Sequence, residues 1–91
     1  MPKKRRDYLK TKLANVMANL MDNTIAIKQM AGDFEPVHPE LAQQLLLIAE
    51  GHQVTFSLSY DFWRKTWGDG AENWTKWTSV RRAYVDPPVE E

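Results

Sequence analysis

The sequence predicts an all-α protein, built as a long antiparallel helical hairpin followed by a short C-terminal helix or arm. Apolar side chains recur at helical spacing without a phase break through two stretches, residues 8–31 and 39–67. At 1.5 Å per residue these stretches span roughly 36 and 43 Å, so two rods of similar length can pack along most of their extent. The connection between them is short, which makes them antiparallel neighbours.

The first helix is predicted to follow a basic, disordered N-terminus of residues 1–7. Asp7 can cap the helix, and Gly32 fits the position after its last turn. Between them mostly apolar side chains recur at helical spacing on one face, which indicates a helix packed along that side. The positions on that face are Leu9, Leu13, Val16, Met17, Leu20, Thr24 and Ile27.

The second helix is predicted to start at Pro39, with Glu40 placed where a negative charge favours the helix dipole. It carries two apolar columns at helical spacing. The first column consists of Leu41, Leu45, Ile48, His52, Phe56, Tyr60, Trp63 and Trp67. The second consists of Leu47, Gly51, Val54, Leu58 and Phe62.

Two columns on one helix predict an oligomer, because a single neighbouring helix cannot cover both of them. The simplest assembly is a dimer that forms a four-helix bundle. We expect one contact to be lined by Leu47, Val54 and Leu58. We expect the other contact to be lined by Leu45, Phe56 and Tyr60.

Part of the second helix could instead be a β-strand, because residues 54–62 alternate apolar and polar side chains and are of types that favour strands. On that alternative the fold is α+β: two helices plus a β-hairpin in which residues 54–67 and 74–85 pair around Gly68 and Gly70. The continuous aromatic column favours the long helix. An isolated two-stranded ribbon is also only marginally stable.

The composition changes after Trp67. Gly68 and Gly70 break the helix, residues 68–85 are predicted to form a Trp-rich basic arm or short helix, and residues 86–91 to form an acidic tail. The sequence thus predicts four segments, 1–7, 8–67, 68–85 and 86–91, within one small domain.

The net charge of zero is distributed in blocks. Residues 1–12 hold six bases and one acid, whereas residues 13–63 hold one base and six acids. Residues 64–82 hold five bases and two acids, and residues 83–91 hold three acids and no base. A neutral total made of blocks can bind charged partners where an evenly mixed chain would not.

The basic N-terminus suggests contact with phosphates or with an acidic protein surface. Its four adjacent bases are Lys3, Lys4, Arg5 and Arg6. The second candidate site is the region that holds all four tryptophans among basic residues. Such side chains anchor protein interfaces, stack on nucleobases, or simply pack over the end of the hairpin. These candidates are Trp63, Trp67, Trp74, Trp77, Arg81 and Arg82.

Enzyme activity is not expected, since no nucleophile motif or carboxylate pair stands out. His38 and His52 are far apart and the chain has no cysteine, so we expect no metal and no cofactor. The absence of long apolar runs or a signal peptide predicts a cytoplasmic protein without a membrane role. Its short, Trp-rich character resembles that of many small phage-encoded proteins, which implies the host cytoplasm or the virion as its location.

The sequence therefore predicts a non-enzymatic protein-interaction or assembly module, such as a small structural or inhibitor protein. We expect it to bind itself and another protein through its apolar helical face and Trp-rich region. The alternative is a small nucleic-acid-binding accessory protein that uses the basic N-terminus and the Trp/Arg segment.

Overall fold

A computed structural model describes residues 2–68 and 71–78, and its regular structure is helical throughout. Helix α1 covers Lys3–Phe34 and helix α2 covers Pro39–Trp67, followed by a 3-10 helix over Ala71–Trp77. The described residues contain no strand, which confirms the all-α class and shows that the α+β alternative is wrong over residues 54–67. Arg81, Arg82 and residues 86–91 lie outside the described residues.

Helix α1 is longer at both ends than the sequence predicts. Its first turn closes where the Arg6 N–H donates to the Pro2 carbonyl at 3.0 Å. Residues 3–7, which the sequence places in the basic N-terminus, belong to α1, because lysine and arginine are good helix formers and nothing there breaks a helix. Gly32 does not end the helix either, since among the described residues only Gly68 has a positive φ.

Proline stops α1 and sets up the start of α2. Pro36 has no N–H to donate and disfavours the helical conformation of the residue before it, so α1 ends at Phe34. The His38 N–H donates to the Phe34 carbonyl, at 2.6 Å, and closes the turn. The His38 carbonyl then accepts from the Ala42 N–H at 3.0 Å, which begins the hydrogen-bond ladder of α2.

Helix α2 has the predicted bounds. Pro39 occupies its first position, where the missing N–H has no helical partner to lose. At the other end the Gly68 N–H donates to the Arg64 carbonyl at 2.8 Å, and Gly68 has a φ of 81°. Only glycine adopts this left-handed conformation without strain, so Gly68 ends the helix as predicted.

The chain divides into two compact units. Unit 2, Asn19–Leu58, holds the end of α1, the turn and the beginning of α2. Its buried residues are all small: Thr24, Ala31, Ala42 and Ala49. Such a core buries little apolar area, so unit 2 gains little hydrophobic stabilisation from its own packing.

The side of α2 that is buried within unit 2 is formed by small residues. Leu41 and Ile48, which belong to the first predicted column, are exposed, whereas the adjacent Ala42 and Ala49 are buried. Alanines seven residues apart leave room for a second helix backbone to approach closely, because the distance between packed helices depends on the side chains at the contact. The bulkier neighbours are then turned toward solvent.

Unit 1 has a different core, built from larger side chains. Its described part comprises residues 2–18, 59–68 and 71–78. A 3-10 helix has three residues per turn, so Ala71, Trp74 and Trp77 share one face, and the first two are buried. The other buried apolar side chains of this unit are Ala14, Met17 and Trp63.

Three glycines give a direct test of these backbone assignments. A Cβ atom added at Gly32 or Gly51 meets nothing within 4 Å, so alanine should raise the free energy of unfolding by about 0.5 to 1 kcal/mol at each position. Alanine at Gly68 should lower it by about 1 kcal/mol, because φ is positive there. Urea denaturation of the three variants at low protein concentration, where assembly does not contribute, checks the signs, and a destabilised Gly51→Ala protein under that condition would contradict the helical assignment at that position.

Candidate interaction surface

The outer face of α2 carries large apolar side chains that nothing in the described chain covers. Leu47, Val54 and Leu58 are 66%, 59% and 65% exposed, respectively. Steps of seven and four residues place these three side chains on one face of the helix, with Gly51 between them. We call Leu47, Gly51, Val54 and Leu58 the outer column.

The outer column lies on the far side of α2 from the buried alanines. Each residue of an α-helix turns the chain by about 100°, so Leu47 and Ala49 point in nearly opposite directions. The same holds for Leu58 and Phe56, and Phe56 is partly buried. The packing of α2 within unit 2 therefore leaves the outer column exposed.

Two apolar grooves flank the helices of unit 2. The larger, about 400 Å³, is lined by residues that include Met21, Ile25 and Phe56, and the smaller, about 240 Å³, by residues that include Met30 and Phe34. Isolated exposed apolar side chains are ordinary, but contiguous ones mark surfaces that bind other molecules. Unit 2 thus presents apolar surface on more than one side.

The side chains of the second predicted contact are partly covered by the chain itself. Leu45, Phe56 and Tyr60 are each half-buried, unlike the side chains of the outer column. Their assignment to an oligomer interface stays a prediction.

The tryptophans of unit 1 form a cluster around a lysine. The rings of Trp63 and Trp67 lie 5.1 Å apart at 75°, and those of Trp63 and Trp77 lie 6.4 Å apart at 63°, both in edge-to-face geometry. The Lys10 Nζ atom lies 4.9 Å from the ring centre of Trp77, 5.8 Å from that of Trp67 and 5.9 Å from that of Trp63. The ammonium group therefore contacts three aromatic rings at cation–π distance.

This arrangement restricts the role predicted for the tryptophans. Trp63 and Trp74 are buried inside unit 1, whereas Trp67 and Trp77 are partly exposed. A partner would reach only the latter two without rearranging the unit. Their role as anchors of a partner stays a prediction. Within unit 1 the tryptophans pack against one another, which is a structural role.

The Lys10 contacts predict a measurable loss of stability. Removing the ammonium in a Lys10→Met variant, which keeps an apolar stem, should lower the free energy of unfolding of unit 1 by about 1 kcal/mol, because three ring faces lose their cation. Lys28→Met is the matched control on an exposed part of α1, and we expect almost no change there. Equal effects in denaturation monitored by tryptophan fluorescence would contradict the contact.

The basic residues near the N-terminus lie on successive positions of α1. Lys3, Lys4, Arg5 and Arg6 differ in direction by about 100° from one to the next, so the helix spreads them around its axis. The Arg5 guanidinium lies 5.6 Å from the Tyr8 ring centre. The four bases therefore do not form a single stripe that tracks a phosphate backbone.

Other kinds of site find no support among residues 2–68 and 71–78. These residues contain no group of three or more side chains able to hold a metal ion. His52 hydrogen-bonds through Nδ1 to the Ile48 carbonyl of its own helix, at 2.9 Å. No helix in the described part of the chain is long and apolar enough to cross a membrane.

Comparison with known proteins identifies no relative. No family model, no curated protein and no solved structure matches the chain.

Proposed function

We propose that this chain is a non-enzymatic protein-interaction or assembly module, with the outer column of α2 as its contact surface. The observation that supports the proposal is the exposure of Leu47, Val54 and Leu58 on one helical face. Exposed apolar side chains grouped on one face are typical of surfaces that bind protein. Covering them with a partner would remove this area from water at about 25 cal/mol per Å².

The weak core of unit 2 supports the same proposal. Its buried side chains are one threonine and three alanines, so its own packing stabilises it little. A partner that binds only the folded chain adds its binding free energy to folding. Contact through the outer column would thus stabilise unit 2, whose own core contributes little, as expected of an assembly component.

The partners proposed for this face are a second copy of the chain and another protein. A photoreactive amino acid in place of Leu58 should form covalent adducts with whatever covers the outer column. Val37, which is also a highly exposed apolar residue but lies in the turn, gives the matched control position.

We expect protein adducts from position 58 and few from position 37 after irradiation of cells that produce the chain. Mass spectrometry of the adducts separates a second copy from a different protein. A position 58 variant that yields no protein adduct, or no more than position 37, would contradict the proposed function.

The alternative function, nucleic-acid binding, has weaker support. It depends on Lys3, Lys4, Arg5 and Arg6, which helix α1 spreads around its axis, and on Arg81 and Arg82, which lie outside the described residues. Salt separates the two functions. Binding to phosphates weakens steeply between about 50 and 200 mM salt, whereas an apolar contact responds little.

A further inference from the structure

The outer column is bordered by charges of opposite sign at its two ends. Glu40 lies seven residues before Leu47, and Lys65 lies seven residues after Leu58, so both share the face of the column on this single uninterrupted helix. Both side chains are exposed. The face therefore runs from an acid through an apolar centre to a base.

This order of residues is complementary to itself when one copy is reversed. If two α2 helices run antiparallel with Leu47 opposite Leu58 of the second copy, Gly51 falls opposite Val54. In the same register Glu40 falls opposite Lys65, and each of these pairs occurs twice by symmetry. A parallel pair would instead bring Glu40 against Glu40 and Lys65 against Lys65, which are repulsive contacts.

The centre of the face also suits a close antiparallel contact. A Cβ atom at Gly51 would meet nothing within 4 Å, so the glycine leaves space that the Val54 side chain of a second copy can fill. At the ends, Lys65 pairs with Asp61 of its own helix at 2.9 Å and yet is 77% exposed. It can therefore add a contact to Glu40 of a second copy.

We propose that the outer column binds a second copy of this chain, with the two α2 helices antiparallel and Leu47 opposite Leu58. This inference rests on the proposed function and specifies its partner and geometry. The apolar centre supplies the attraction, and the Glu40–Lys65 pairs select the antiparallel orientation over the parallel one.

Disulfide trapping tests the register directly, because the chain contains no cysteine of its own. Leu47→Cys and Leu58→Cys chains are mixed in a glutathione redox buffer. In the proposed dimer the two positions face each other, and a disulfide requires Cα atoms within about 7 Å. We expect the mixed dimer to dominate, while either variant alone forms little disulfide, because identical positions lie roughly 16 Å apart along the axis.

Two controls make the trapping result decisive. A mixture of Val37→Cys and Leu58→Cys chains measures random collision, and it should form at least about tenfold less mixed dimer than the first mixture, since residue 37 lies off the face. Efficient disulfide formation by each single variant alone would show a parallel pair and overturn the proposal. Mixed dimer at the collision level would also overturn it.

Charge reversal tests the selection of orientation. Lys65→Glu places two acids opposite each other at both ends, and should raise the dissociation constant about tenfold at low salt. Glu40→Lys in the same chain restores opposite charges and should recover most of that affinity. Lys28→Glu, the same charge change on α1, is the control and should have little effect. A double variant no tighter than Lys65→Glu alone would contradict the pairing.

Failure of this inference is distinguishable from failure of the proposed function. If position 58 captures only a different protein and the cysteine mixture does not cross-link, the second-copy partner is wrong while the contact surface stands. If position 58 captures no protein at all, both proposals fail.

Discussion

Replacing Trp63 by alanine should lower the free energy of unfolding by about 3 to 5 kcal/mol, which is most of the stability of a domain this small. Trp63 is 1% exposed and is the largest fully buried side chain among the described residues. Its ring contacts Trp67, Trp77 and the Lys10 ammonium, so its loss opens a cavity that three neighbours cannot fill. Urea denaturation followed by circular dichroism measures the change.

The adjacent Phe62 gives the matched control for this prediction. It is an aromatic residue of the same helix, but more than half of its surface is exposed. We expect Phe62→Ala to change the free energy of unfolding by about 1 kcal/mol or less, since the side chain is largely exposed and loses an edge contact with Trp67. Similar losses for the two variants would contradict the core assigned to unit 1.

In unit 2 a small residue should matter more than a large one. Ala49 is buried where the helices pack, so Ala49→Leu should destabilise the chain by about 1 to 3 kcal/mol through overpacking. Leu47→Ala removes a side chain that is 66% exposed, and should change stability by only about 0.5 kcal/mol. The expected order is the reverse of the usual one, in which truncating a leucine costs more.

Thermal denaturation at low protein concentration measures this pair without a contribution from assembly. Both variants keep an aliphatic residue in the same helix, so they differ chiefly in which face they alter. A large loss for Leu47→Ala together with a neutral Ala49→Leu would show that the outer column, and not the alanine face, lies in the core of the monomer.

The bounds of α2 were predictable because strong local signals fix both ends. Pro39 fits only the first turn of a helix, and Gly68 supplies the positive φ that ends it. The bounds of α1 were not, since its signals are weaker. Asp7 can cap a helix and Gly32 can follow its last turn, but both residues also fit inside a helix. Of these three residues only Pro36 strongly disfavours continuation of the helix.

The surface was predictable in part for a similar reason. Spacing alone placed Leu47, Val54 and Leu58 on one face of α2, and the structure shows that this face is exposed. Spacing did not reveal that Ala42 and Ala49 take the buried side, because alanine contributes little to an apolar pattern and large neighbours dominate it.

The tryptophan cluster was the part least visible in the sequence. Trp74 and Trp77 are three residues apart, which matches the period of a 3-10 helix and is only approximate for an α-helix. Lys10 lies more than fifty positions before Trp63 in the chain, so no local pattern connects them. Only the fold of unit 1 brings the ammonium group to the rings.

The most direct test of the central claim is sedimentation velocity of the wild-type chain and two variants over a dilution series. Leu58→Asp puts a charge in the outer column, and Val37→Asp makes the same kind of change in the turn. We expect wild type and Val37→Asp to associate as concentration rises, and Leu58→Asp to stay monomeric with unchanged helix content. Association of Leu58→Asp as strong as that of wild type would contradict the claim that the outer column is the contact surface.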